Sequence, residues 1–158
     1  MKYIELDDYI SLYGDITEGE YERYSFKAKR IMDENTTGVD GFAKLVDAPP
    51  TDEDSLTAIK LCAAELINTL KQIGEIEKAG AMISREDGTM APAMVSSVSS
   101  GSESISYSNT SGSAITAAAS DFNARATLFT GIVRNYLSGI KDANGVNLLY
   151  MGVYPYVS

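Results

Sequence analysis

The chain has 158 residues, enough for one domain with a real hydrophobic core, and its 44% hydrophobic and 22% charged composition is that of an ordinary globular protein. Its formal net charge is −9, from 13 Lys+Arg against 22 Asp+Glu, so phosphate backbones repel it unless its bases cluster. They do so once, at Lys27, Lys29 and Arg30, among the acids Glu20, Glu22, Asp33 and Glu34, which reads as a solvated helix face rather than a nucleic-acid patch.

The single cysteine, Cys62, permits no internal disulfide. It lies in an apolar helical run with Leu61, Ala63 and Ala64, and the chain has no histidine to activate a thiol. The start, Met1 to Asp8, carries acids that interrupt any signal-peptide apolar region, and no stretch has the length and apolarity of a membrane helix.

In chain order, Leu6, Tyr9, Ile10 and Tyr13 predict a short helix over 5–13, ended by Gly14. Thr17 and Glu20 form a capping-box pair, opening a second helix that runs to about Glu34. Its apolar line is Tyr21, Tyr24, Phe26, Ala28, Ile31 and Met32. A connector follows over 38–51, with a helical turn at Phe42, Leu45 and Val46, and Pro49-Pro50 blocks continuation. Thr51 to Ser55 then supplies cap candidates and dipole-favoured acids. The same carboxylates lack the alternation and turn glycine of a calcium loop.

The strongest pattern is a helix over 55–78. Leu56, Ile59, Ala63, Leu66, Leu70 and Ile73 recur at 3–4 spacing, widened by Cys62, Ile67 and Ile76, and Gly80 is the expected stop. Residues 81–115 are rich in Ser, Gly and Thr. Within them Glu103, Ile105 and Tyr107 alternate with serines, which predicts an extended arm or β-hairpin; a flexible serine linker is the competing reading. A last helix is expected over 116–137, with Ala119, Phe122, Ala126, Phe129, Val133, Tyr136 and Leu137 as its stripe. Residues 141–158 then form an apolar, aromatic tail that docks on its own chain or on a neighbour.

The expected fold is therefore mainly α, a single domain over 1–158. It is a small bundle of three to four helices, with a long extended arm or hairpin inserted before the last helix. No phosphate loop, dinucleotide fingerprint, zinc pattern or nucleophile elbow is present, which argues against an enzyme and for no cofactor or metal.

Several stretches, in this order, resemble the head–tail connector (head-completion adaptor) family of long-tailed phages and prophages. Tyr24-Ser25-Phe26-Lys27-Ala28-Lys29-Arg30-Ile31-Met32-Asp33 with Thr36-Thr37 is similar to its first long helix, and Leu61-Cys62-Ala63-Ala64-Glu65-Leu66-Ile67 to the start of its central helix. Ser102-Glu103-Ser104-Ile105-Ser106-Tyr107-Ser108 is similar to its serine-rich segment. Asn135-Tyr136-Leu137-Ser138-Gly139 and Leu148-Leu149-Tyr150-Met151-Gly152-Val153 are similar to its closing helix and tail. Met151 departs from the pattern, standing where the family often carries Arg, and the connector before Ser55 is long.

The resemblance implies a non-enzymatic virion protein of the neck, assembled in the host cytoplasm. It would form a closed ring of roughly a dozen copies between portal and a stopper or tail-completion protein. Double-stranded DNA would pass through the lumen without specific recognition, and no membrane is involved. The interface residues expected on this reading are Glu103, Ile105 and Tyr107 in the arm and Leu148, Leu149, Tyr150 and Tyr154 in the tail. For each of these, packing within the same subunit is the alternative. A different neck or tail-completion component, a small intracellular helical binding module and an enzyme working through acidic residues are the rival functions.

Overall fold

A computed structural model describes residues 2–87 and 110–155, with side chains in 80–87 and 110–113 left aside. It is mainly helical. Six helices run in the order α1 (Leu6–Tyr13), α2 (Glu18–Thr36), α3 (Lys44–Asp47), α4 (Glu53–Asp87), α5 (Thr110–Ser120) and α6 (Phe122–Leu137) among the described residues. No sheet accompanies them there; two isolated antiparallel bridges, Thr37 to Ala43 and Lys141 to Asn147, close small loops.

Local chemistry sets most boundaries. α1 stops at Gly14, whose φ of 95° suits glycine and whose N–H donates to the Ile10 carbonyl at 2.9 Å. α2 begins with the expected capping box, the Thr17 hydroxyl accepting from the Glu20 amide and the Glu20 carboxylate from the Thr17 amide. Asp52 caps α4, accepting from the Ser55 amide at 2.9 Å, and the Ser55 hydroxyl and amide together hold its carboxyl below the usual carboxylate range.

Gly80 does not stop α4, which continues to Asp87. A glycine inside a helix costs only about 1 kcal/mol against alanine, and Ala81, Met82 and Ile83 after it do not break the helix. The last helix is also divided. α5 starts at Thr110, six residues earlier than expected, and the chain breaks at Asp121 before α6. Asp121 accepts from the Asn123 amide at 2.8 Å and so caps α6. The Arg125 side chain reaches back to the Ala118 and Ala119 carbonyls at 2.9 and 3.2 Å, satisfying the end of α5, and Glu77 lies 3.7 Å from its guanidinium. Both ends of the expected 81–115 arm are thus helical, while Glu103, Ile105 and Tyr107 lie outside the described residues.

Two compact units divide the chain, residues 1–68 with 129–158 and residues 69–128. In the first, Tyr9, Tyr21, Met32, Leu45, Cys62, Leu66, Ile67, Val133 and Leu137 are fully buried. The N-terminal segment is tied to α2 by three contacts. The Tyr21 hydroxyl donates to the Ile4 carbonyl, the Tyr3 hydroxyl donates to Asp33, and Lys2 pairs with Glu22. In the second unit Thr69, Leu70, Ile73 and Ala118 are buried. Several residues of the expected apolar stripes face solvent instead, among them Leu56 at 47%, Phe26 at 64% and Phe122 at 81% exposure.

Among the described residues no helix is long and apolar enough to cross a membrane. Burial raises the Cys62 thiol to about 12, so it stays protonated at neutral pH and fills core space.

Candidate functional site

The C-terminal tail is fastened to the connector before α3, and this clasp is the most elaborated feature of the first unit. α6 ends at Leu137, Gly139 beyond it lies in the left-handed region at φ 82°, and the Ile140 amide donates to the Leu137 carbonyl at 3.1 Å. The chain then turns tightly over Asp142 to Gly145. The Asp142 carboxylate sits inside the turn, Oδ1 accepting from the Asn144 and Val146 amides, each at 2.9 Å. Leu148, fully buried, donates its amide to the Ile140 carbonyl at 2.9 Å.

Tyr154 closes the clasp. Its hydroxyl donates to Asp142 Oδ2 at 2.5 Å and accepts from Asn144 Nδ2 at 3.0 Å. Its ring stacks on Phe42 with centroids 3.8 Å apart. Its amide donates to Asp40 Oδ2 at 3.0 Å, while Asp40 Oδ1 accepts from the Phe42 amide at 3.2 Å. Those backbone donors hold the Asp40 carboxyl below its ordinary range. The Val39 amide donates to the Met151 carbonyl, and the Ala143 amide to the Ala48 carbonyl. A Cβ added at Gly38 would sit 2.7 Å from the Gly152 carbonyl oxygen, so only glycine lets the two backbones approach this closely.

Lys44 lies beneath, 1% exposed, its ammonium donating to the Thr36 carbonyl at 2.9 Å. Burial lowers its pKa from the ordinary lysine value, against the opposing charges of Asp142 and Asp40. Nothing in the sequence pattern marked this lysine as internal.

The tail residues expected at an interface therefore separate into two sets. Leu148 and Tyr154 are buried in the chain's own structure, because the Asp142 turn and the Phe42 ring hold them there. These two therefore take the alternative, packing within their own chain. Leu149 is half-buried. Tyr150 is 45% exposed, and beside it Met151 and Val153 also reach solvent, together with Val39 across the clasp. Four large side chains, mostly aliphatic, are thus presented by backbone that is itself hydrogen-bonded at Val39, Tyr150 and Met151.

No family model matches the chain, and no curated protein or solved structure does. No group of three or more metal-binding side chains occurs among the described residues. The arrangement at the clasp is one of fixed hydrogen bonds beside an exposed apolar rim.

Burial also raises the pKa of four tyrosines in this unit, Tyr3, Tyr13, Tyr21 and Tyr136, the last to about 12. Below an unfolded-state value near 10 all four are neutral in both states, and their contribution is fully present. Above it the unfolded chain loses protons first, so stability falls as pH rises toward the folded values. Lys44 acts with the opposite sign, its lowered pKa favouring folding as pH rises toward the unfolded lysine value, but it is one group against these four and the buried Cys62 thiol. Thermal melts from neutral to strongly alkaline pH are expected to show a falling Tm above about pH 10. Tyrosinate absorbance from these four should appear with unfolding rather than before it. A Tm that holds level across that range would contradict the burial assigned to these phenols.

Proposed function

We propose that this chain is a non-enzymatic structural subunit of the phage or prophage neck, a head–tail connector that binds the portal and leads toward the stopper or tail-completion protein. The observation that carries the reading is the clasp. A hydrogen-bonded network spends buried polar groups on fixing the tail, and leaves Val39, Tyr150, Met151 and Val153 exposed on its outer side. An apolar rim held this rigidly is pre-organised for a protein partner, because little entropy remains to be lost on contact. The ordered likeness of the helices and tail to the connector family supplies the identity of that partner.

In this reading the helices form a bundle of three to four members that makes the wall of a ring, and DNA passes through the lumen. The acidic balance of the chain suits a channel that duplex DNA must slide through. The serine-rich stretch with Glu103, Ile105 and Tyr107 reaches the neighbouring copy, by strand addition or as an extended arm. The tail rim meets the portal. Mixing the full chain with portal rings and following co-sedimentation tests this directly. Saturable binding at a fixed ratio is expected; absence of binding to any portal would overturn the reading.

A further inference from the structure

On the first unit a carboxylate is held among phenols without a cation. Glu65 of α4 is half-buried, and the Tyr136 hydroxyl donates to its Oε1 at 3.5 Å, a long contact. Tyr13, stacked on Tyr9 with centroids 5.5 Å apart, lies close enough for the Glu65 charge to act on it. Among the described residues no basic side chain pairs with Glu65. Lys60, on the same helix, is committed to Asp8 at 3.2 Å. A carboxylate beside phenol groups and without a paired base is a receptor for an ammonium or guanidinium group, through a charge-assisted ion pair.

The same unit carries a complementary surface. Arg23, Phe26, Lys27 and Arg30 stand at i, i+3, i+4 and i+7 along one stripe of α2, and all four are exposed. Arg23 lies over the Tyr24 ring, and Arg30 pairs with Glu34 at 3.3 Å. Lys27 has no partner among the described residues, and the ring beside it, Phe26, is among the most exposed apolar side chains of the unit. A cation next to an exposed aromatic matches a carboxylate next to half-exposed aromatics.

We propose that copies of this chain associate side by side, Lys27 and Phe26 of one copy seating against Glu65, Tyr13 and Tyr136 of the next. The contact deepens the connector reading and rests on it, since it supplies the lateral interface a ring requires. The two surfaces differ, so the association is head-to-tail and generates a ring or a filament rather than a closed dimer. Duplex DNA is the other occupant a basic stripe invites. The net charge of −9 and the exposed phenyl group, which phosphates do not reward, favour protein.

Charge reversal tests the contact. Sedimentation velocity of the full chain over a concentration series is expected to show self-association that weakens with salt. Lys27→Glu and Glu65→Lys should each weaken it about tenfold or more. The two variants mixed, or combined in one chain, should regain it, a recovery that general destabilisation does not produce. Phe26→Ser, at a solvent-exposed position, should weaken it without lowering the Tm. A wild-type chain that stays monomeric at every concentration overturns the contact, as do variants that associate like wild type. Duplex DNA retained by wild type and lost in Lys27→Glu, with self-association unchanged, assigns the stripe to DNA and also overturns it. Portal binding without lateral association defeats this contact alone, whereas failure of both defeats the connector reading as well.

Discussion

Asp142→Ala is expected to lower the unfolding free energy by about 3 kcal/mol, the largest single effect foreseen outside the apolar core. The carboxylate is 6% exposed and accepts from the Tyr154 hydroxyl and from two backbone amides. Removing it leaves buried donors unpaired, and an unmet buried donor costs more than a hydrogen bond contributes when made. Tyr154→Phe keeps the stacking on Phe42 and loses only the hydroxyl, so about half that loss is expected, roughly 1.5 kcal/mol. Denaturant titration measures both. Hydrogen exchange at Val39 and Tyr154 should accelerate in parallel, because their amides donate across the clasp. An Asp142→Ala chain as stable as wild type would mean that the tail merely rests on the connector.

The second large effect is on binding. Met151→Asp combined with Val153→Asp is expected to weaken portal binding by about 2 kcal/mol or more, roughly thirtyfold, while monomer stability changes by less than about 0.5 kcal/mol. Both side chains reach solvent, at 44% and 65% exposure, so they contribute little to the fold, yet an introduced carboxylate is costly in a desolvated apolar contact. Titration of portal rings with wild type and variant, beside thermal melts of each, separates the two quantities. Unchanged affinity would remove the rim from the interface. Truncation after Gly145 is a poorer probe, since it also removes the buried Leu148 and Tyr154.

The parts of the fold that were legible in the sequence are those fixed by near neighbours. The Thr17–Glu20 capping box, the Gly14 stop, the turn around Leu45 and the cap before α4 each depend on residues within a few positions, and each occurs. Gly80 misled because a glycine ends a helix only when following residues compete for the chain, and Ala81 to Ile83 do not. The break at Asp121 was hidden for the converse reason. Apolar spacing continues through it, and the Arg125 contacts that complete α5 are made by folding back over the preceding turn.

The candidate site was half legible. An apolar, aromatic tail had to dock somewhere, and it does. Which of its side chains point inward was settled by groups remote in sequence: Asp40 lies 114 positions from Tyr154, and Phe42 stacks on its ring. Lys44 is the plainest case, a lysine in a connector that the sequence leaves ordinary and that tertiary contacts bury. Phe26 and Phe122 are the reverse, apolar residues at helical spacing that remain at the surface. Periodicity identifies a face; it does not say whether anything covers it.

Electron cryomicroscopy of the full chain mixed with portal rings tests the central claim most directly. The account expects a ring of this protein seated coaxially on the portal, with Tyr150, Met151 and Val153 buried against it and an open lumen. A portal that emerges bare, with the chain monomeric beside it, would contradict the account.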